Sequence, residues 1–189
     1  MINQQSLKAR LQTIAKLKSV PFNACWKQLI LERFLSRLAR STYVDKLIFK
    51  GGFLLSYLIK IGRETIDIDF LLTKIKAEES ILQKICTEIS AINSGDGFTF
   101  TFSKIDILSQ PHMDYPGYRI ILDVSFDKMK DRIHIDIGIG DEVPPEQIEL
   151  ETFQYKNKPF FDDAISLYVY PIEYIYHLCR KTPSFRSGM

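Results

Sequence analysis

The residues LIFKGGFLLS (47–56), followed by RETIDIDF (63–70), contain the pattern from which the architecture of the chain can be predicted. An apolar run ends in a glycine pair, an apolar segment follows, and an Asp-x-Asp lies inside a second apolar run. This pattern predicts the order strand, tight turn, helix, strand. Residues two apart in a strand point to the same face, so Asp67 and Asp69 project together while their apolar neighbours point into a core. The layout is typical of a site for phosphates and a metal ion.

The two carboxylates and the glycine pair indicate which ligands such a site would take. Adjacent carboxylates repel each other, and a divalent cation removes that repulsion; Mg²⁺ is commonly held by one or two carboxylates together with substrate phosphates. Gly51 and Gly52 let backbone N–H groups approach a ligand, and the next helix offers the positive end of its dipole. A lone Asp-x-Asp also occurs in surface turns, but inside an apolar strand an unpaired charge is costly. We therefore expect a triphosphate and a metal ion here.

Composition limits the class of protein. The chain has 189 residues and a formal net charge of +2, which fits a single domain over residues 1–189 and argues neither for nor against nucleic acid. It has no apolar stretch of about eighteen residues and no charged-then-apolar N-terminus, so we expect neither a membrane span nor a secretory signal. Cys25, Cys86 and Cys179 are scattered without zinc-type spacing, which fits reduced thiols in the cytoplasm.

The rest of the chain divides into helical and strand patterns. Apolar spacing predicts N-terminal helices over residues 5–40, interrupted by Pro21, with Asn23 capping the second helix. A catalytic core over 44–171 is expected to follow, and Pro171 opens a short C-terminal helix with a frayed tail over 172–189. Within the core the patterns predict a helix at 77–92, a turn at 93–97, strands at 98–102, 118–124, 133–140 and 166–170, and a loop and edge at 146–158.

The strand-like run from 133 to 140 supplies a third carboxylate. Its four isoleucines share one face, and the opposite face carries His134, Asp136, Gly138 and Gly140. Two glycines beside an Asp leave room for a ligand or a metal, so we predict Asp136 as the third carboxylate. A solvent-facing Asp is the alternative, and Asp123 is a rival on a strand without such an opening. For His134 we expect a structural or substrate-edge role, because Mg²⁺ prefers oxygen ligands.

Four segments spread over most of the chain carry a resemblance to a known family. They are ERFLSRL (32–38), KGG (50–52) with Ser56, RETIDID (63–69), and IDIGIGD (135–141) with Pro144. Together they resemble the AbiEii/AbiGii toxin family of nucleotidyltransferases. These proteins are the toxin halves of type IV toxin–antitoxin and abortive-infection systems, within the DNA polymerase β-like superfamily.

The resemblance implies an α+β fold with a mixed, mostly antiparallel sheet flanked by helices. It implies Mg²⁺ or Mn²⁺, a nucleoside triphosphate, and transfer of a nucleotidyl group to an acceptor hydroxyl, on tRNA in some relatives, with a separately encoded antitoxin as partner. Asp67, Asp69 and Asp136 would hold the metals, and Asp136 would help to activate the acceptor hydroxyl. Nucleotide contacts are implied for Lys50, Gly51, Gly52, Ser56 and Arg63. For Lys50 a solvated strand-end lysine is the alternative.

One departure from the family pattern leaves another function open. Relatives continue after the Pro171 helix with an Ala-Glu-Lys signature, where this sequence has Tyr176-His177-Leu178. The alternative is a truncated, catalytically impaired member that binds nucleotide or a partner protein without turnover. A third interpretation, a glycosyltransferase that uses a nucleotide sugar, lacks the upstream nucleotide-binding βαβ units expected of it.

Overall fold

A computed structural model of the chain describes residues 2–59, 67–108, 117–140 and 144–171. Within these ranges the helices are α1 Gln4–Lys18, α2 Phe22–Ala39, α3 Gly51–Ile59 and α4 Glu79–Ser90. The strands are β1 Leu47–Lys50, β2 Asp67–Leu72, β3 Phe98–Leu108, β4 Gly117–Phe126, β5 Met129–Gly138, β6 Glu146–Leu150, β7 Gln154–Tyr155, β8 Lys158–Pro159 and β9 Ile165–Val169.

Seven of these strands form one mixed sheet in the order β3-β4-β5-β2-β1-β9-β6. Four neighbouring pairs are antiparallel, and two pairs, β2 with β5 and β1 with β9, are parallel. Strands β7 and β8 form a separate hairpin. The predicted α+β class, with a mixed, mostly antiparallel sheet and flanking helices, is confirmed.

One face of the sheet carries the apolar core. Alternate residues of the two central strands are fully buried on it: Ile68, Phe70, Ile133, Ile135 and Ile137. Helix α2 packs over this face, where Trp26 stacks on Phe98 and Phe34 meets Phe100 edge to face. Because side chains alternate along a strand, the residues between the buried ones point to the other face and stay half-buried. The candidate site lies on that second face.

A buried ionic cluster ties α2 to two distant segments. It consists of Glu32, Arg33, Arg37, Asp96 and Asp163. Arg33 donates to both Asp163 oxygens at 3.0 and 2.9 Å, and Arg37 donates to both Asp96 oxygens at 2.8 Å. Burial raises the pKa of Glu32 to about 7, although Arg33 and the Phe153 N–H oppose this. The ERFLSRL segment therefore has a structural role in joining the helix to the loops before β3 and β9.

The ends of the two N-terminal helices differ from the sequence prediction. Helix α1 ends at Lys18, before Pro21, because Ser19 adopts a left-handed conformation with φ 55°. The assignment of Asn23 as a cap is wrong: α2 begins at Phe22 with Pro21 in the cap position and no side-chain cap. Asn3 has that function instead, because its side chain accepts the Ser6 N–H at 2.8 Å at the start of α1.

The core elements agree with the predicted ones in type and differ in length. Strand β3 continues to Leu108, past the predicted end at residue 102, through a register shift between Phe102 and Lys104. The segment predicted as loop and edge contains the edge strand β6 and the β7–β8 hairpin. The predicted C-terminal helix and tail, 172–189, lie outside the described residues. Among the helices that are described, none has the length and apolarity needed to cross a membrane.

Candidate active site

Three carboxylates converge on the polar face where β2 and β5 pair. Asp67 and Asp69 are two residues apart on β2 and are both half-buried, as the alternation predicts. In the parallel pairing, Asp69 is the register partner of Asp136, and Asp67 is the partner of His134. The predicted carboxylates thus come from neighbouring positions of two central strands.

Arg119, on β4, neutralises two of these carboxylates. Its Nε and Nη2 donate to the two carboxylate oxygens of Asp136, both at 2.7 Å, and Nη2 also lies 3.5 Å from Asp67 Oδ2. His134 Nδ1 lies 3.2 Å from the other oxygen of Asp67. The hydrogen-bonded contact with Asp136 raises the pKa of the Arg119 guanidinium above its usual value, so the group remains a cation.

Asp69 lies against the glycine turn at the start of α3. A Cβ added to Gly51, which has φ +79°, would lie only 2.0 Å from Asp69 Oδ2. Burial raises the pKa of Asp69, as does the charge of Asp136, whereas Lys50 and the Gly52 N–H that donates to the carboxylate lower it. A glycine is therefore needed at position 51 both for its conformation and for the space that Asp69 fills.

Lys50 enters the site from β1, opposite Asp69 in the antiparallel β1–β2 pair. Its Nζ would lie 3.1 Å from a Cβ built on Gly138. The opening beside Gly138, which was expected to hold a ligand or metal, is therefore filled at least in part by the Lys50 side chain. Among the described residues, a Cβ built on Gly140 meets Leu71 Cδ1 alone, at 4.0 Å.

Three other residues considered in the sequence analysis, Ser56, Arg63 and Asp123, are not placed among these carboxylates by the described structure. Ser56 lies in the second turn of α3, and its hydroxyl donates to the Phe53 carbonyl at 2.7 Å. Arg63 lies outside the described residues. The rival carboxylate Asp123 is exposed and accepts a hydrogen bond from Arg132 Nε at 2.8 Å. The structure brings together Lys50, Gly51 and the three predicted carboxylates, but it does not add Asp123 to them.

The carboxylate oxygens of Asp67, Asp69 and Asp136 are suitable ligands for a hard divalent cation. Carboxylate oxygens are the ligands that Mg²⁺ and Mn²⁺ prefer, and the half-buried Asp69 beside like charges is stabilised by any nearby cation. As the side chains stand, no three His, Cys, Asp or Glu residues of the described ranges form a ready metal-binding group. In the same arrangement both oxygens of Asp136 are hydrogen-bonded to Arg119.

Comparison with known proteins identifies the family. Residues 33–178 match the family model described as "Nucleotidyl transferase AbiEii toxin, Type IV TA system". The chain belongs to this AbiEii family. The match covers the glycine turn and all three site carboxylates of this AbiEii protein. It confirms the resemblance carried by the sequence motifs.

Other comparisons give weaker information about this AbiEii chain. One solved structure, described as "putative nucleotidyltransferase from H. pylori", is similar with a TM-score of 0.48 and 15% sequence identity. The similarity covers 90% of this chain and 63% of that chain, so this protein spans less than two thirds of the solved one. No curated protein matches the chain.

Sequence reasoning missed Arg119, although a signal for it exists. The hairpin between β4 and β5 has a two-residue loop, Asp127 and Lys128, which pairs Phe126 with Met129. Counting back from that loop places Arg119 opposite Asp136. The length of the loop between the two strands therefore determines that Arg119 and Asp136 pair across them.

Proposed function

We propose that this AbiEii family member is a metal-dependent nucleotidyltransferase that acts as the toxin of a type IV toxin–antitoxin system. It would transfer a nucleotidyl group from a nucleoside triphosphate to an acceptor hydroxyl, with tRNA as the first acceptor to test and a separately encoded antitoxin as partner. The observation that carries the proposal is the convergence of Asp67, Asp69 and Asp136 from paired strands beside the N-terminus of α3.

The roles of the residues follow from their positions. Asp67, Asp69 and Asp136 would hold Mg²⁺ or Mn²⁺, which when bound neutralises charge on the attacking and leaving oxygens of an in-line displacement. The N–H groups of the first turn of α3 favour a bound anion, although the Gly52 N–H already donates to Asp69. Lys50, half-buried over Gly138, would pair with phosphate oxygens and offset their charge.

Asp136 would also accept the proton of the acceptor hydroxyl as its oxygen attacks the α-phosphorus. The bond that breaks joins the α-phosphorus to the bridging oxygen, so pyrophosphate leaves. A carboxylate suits this role when it lies within hydrogen-bond reach of the hydroxyl. Since Arg119 uses both oxygens of Asp136, this contact must loosen before Asp136 accepts a proton.

Labelled-nucleotide transfer tests the proposal. The protein is incubated with each labelled nucleoside triphosphate, Mg²⁺ and total RNA, and the RNA is separated by size so that label in tRNA is distinguished from label in longer species. We expect label in RNA with the unaltered protein and none with the Asp67→Ala, Asp69→Ala double variant. Asp123→Ala is the matched control, because it removes a carboxylate from the exposed end of the same sheet face.

A second candidate is a family member that binds nucleotide without turnover. The full engagement of Asp136 by Arg119 favours it, because the carboxylate expected to activate the acceptor already has a partner. This candidate predicts Mg²⁺-dependent triphosphate binding, measured by calorimetry and lost in the double variant, with no label in RNA or in added protein. Label transfer that requires Asp67 and Asp69 excludes it.

A further inference from the structure

Arg119 lies between two carboxylates of the sheet. On one side it is the register partner of Asp136 on β5, and it contacts both oxygens of that residue. On the other side it is the register partner of Asp106 on β3. Directly paired residues of antiparallel strands share a face and have close Cβ atoms, so Asp106 and Asp136 flank Arg119 on the same face.

Asp106 is free to take a second partner. It pairs with Lys104 at 2.7 Å between Nζ and Oδ2, and its side chain is 45% exposed. The Arg119 side chain is itself 34% exposed, so its guanidinium is not enclosed by the core. Because Arg119 and Asp106 are directly opposed across β4 and β3, a rotation of the Arg119 side chain away from Asp136 would turn its guanidinium towards Asp106.

We infer that Arg119 is a built-in competitor of the divalent cation, one that holds Asp136 and Asp67 until the cation binds and then moves to Asp106. This inference rests on the proposed function, because it concerns the metal that the transferase would use. It assigns to Arg119 a positioning role: it acts on the reaction through Asp136.

The charges explain why Arg119 competes with the metal and does not support it. Nη2 lies 2.7 Å from Asp136 Oδ2 and 3.5 Å from Asp67 Oδ2, so it bridges the carboxylates of two strands. A cation shared by those carboxylates would need the same oxygens. Two positive groups in contact with one carboxylate pair repel each other strongly in a partly desolvated site. One of them must leave, and Asp106 offers Arg119 a carboxylate at the next strand.

Metal affinity, not activity, tests the inference. Mn²⁺ binding is measured by electron paramagnetic resonance and calorimetry on the EDTA-treated protein and its variants. We expect Arg119→Gln to bind Mn²⁺ about tenfold more tightly, equivalent to about 1.4 kcal/mol. Arg132→Gln is the matched control: it removes an arginine that pairs with an aspartate across the same two strands, and should change the affinity less than about twofold.

Asp106→Asn tests the second position of Arg119 separately. This exposed substitution should fold, and it should weaken Mn²⁺ binding about threefold because Arg119 loses its alternative partner. Asp123→Asn, its control on the exposed part of the face, should have little effect. Thermal unfolding in EDTA gives a further readout: Arg119→Gln should unfold at a lower temperature, and saturating Mn²⁺ should raise its Tm more than that of the unaltered protein.

Three results would overturn the inference. If Arg119→Gln is folded and binds Mn²⁺ no more tightly than the unaltered protein, Arg119 supports the metal site or does not affect it. If Arg119→Gln does not fold and Arg119→Lys, which loses the two-point contact, binds Mn²⁺ no more tightly than the unaltered protein, the competition is refuted. If neither the unaltered protein nor any folded variant binds Mn²⁺, both the metal site and the competition are refuted, whereas binding without tightening refutes the competition alone.

Discussion

Replacing Gly51 with alanine tests the contact on which the site geometry depends. Gly51 opens α3 with φ +79°, and an added Cβ would lie 2.0 Å from Oδ2, 2.5 Å from Cγ and 2.7 Å from Cβ of Asp69. All three distances are shorter than the 3.0 Å below which a Cβ atom does not approach an unbonded heavy atom, so Asp69 or the turn must move. Asp69 is held in place by the Gly52 N–H and by its strand, so we expect part of the strain to remain.

The loss in the free energy of unfolding of Gly51→Ala has two parts. A non-glycine residue in the left-handed region costs about 1–2 kcal/mol. Forcing an extra carbon into a packed position adds about 1–3 kcal/mol. The free energy of unfolding of Gly51→Ala should therefore fall by about 2–5 kcal/mol in total. Gly95→Ala separates the two parts, because Gly95 has φ +66° but no atom of the described residues lies within 4 Å of its built Cβ.

Urea unfolding followed by circular dichroism measures both variants. Gly95→Ala should lose only the conformational part, about 1–2 kcal/mol. In an Asp69→Ala background, which removes the two nearest contacts, Gly51→Ala should cost less than it does alone, since residues in contact are not additive. Equal losses of stability in Gly51→Ala and Gly95→Ala would mean that Asp69 does not lie against the turn.

Two further predictions concern the buried ionic cluster. Arg37→Met should destabilise the protein by about 3–5 kcal/mol in urea unfolding, because Asp96 keeps a buried charge without its two-point partner; a loss below 1 kcal/mol would contradict this. Glu32 should make stability depend on pH: its pKa is raised from 4.5 to about 7, so its contribution is complete below pH 4.5 and is lost as the pH rises to about 7. This loss is about 3 kcal/mol. In Glu32→Gln the loss should disappear, so that the urea midpoint of the variant changes less between pH 4.5 and pH 7. If the pH dependence of the variant equals that of the unaltered protein, Glu32 is not the group responsible.

Local sequence patterns were sufficient to predict the pieces of the site. The two-residue period of a strand placed Asp67 and Asp69 on one face, and the isoleucines of β5 placed Asp136 on the polar face. The glycine pair predicted a tight turn, and Gly51 has the positive φ that such turns use. These predictions need only residues that are neighbours in the sequence.

Contacts between distant segments could not be predicted in the same way. Nothing in the alternation of β2 or β5 says that these strands pair in parallel with Asp69 beside Asp136, because register is set by the whole sheet. The position of Lys50 over Gly138 depends on that same pairing. The Asn23 cap was wrong for a different reason: Pro21 already fixes an extended conformation at the start of the helix.

The parallel pairing of β2 with β5 also has a consequence for the order of folding. Strands β1 and β2 are close in sequence, as are β3, β4 and β5, so each group closes short loops. The β2–β5 joint connects the two groups over a long sequence separation, which makes it slow to form. Asp69 and Asp136 face each other across this joint, and their repulsion opposes it. We expect substitutions of Ile68 and Ile135, the apolar register partners beside them, to slow folding more than they speed unfolding. A chain that has folded only up to this step has both halves of its sheet, but Asp136 does not yet lie beside Asp67 and Asp69.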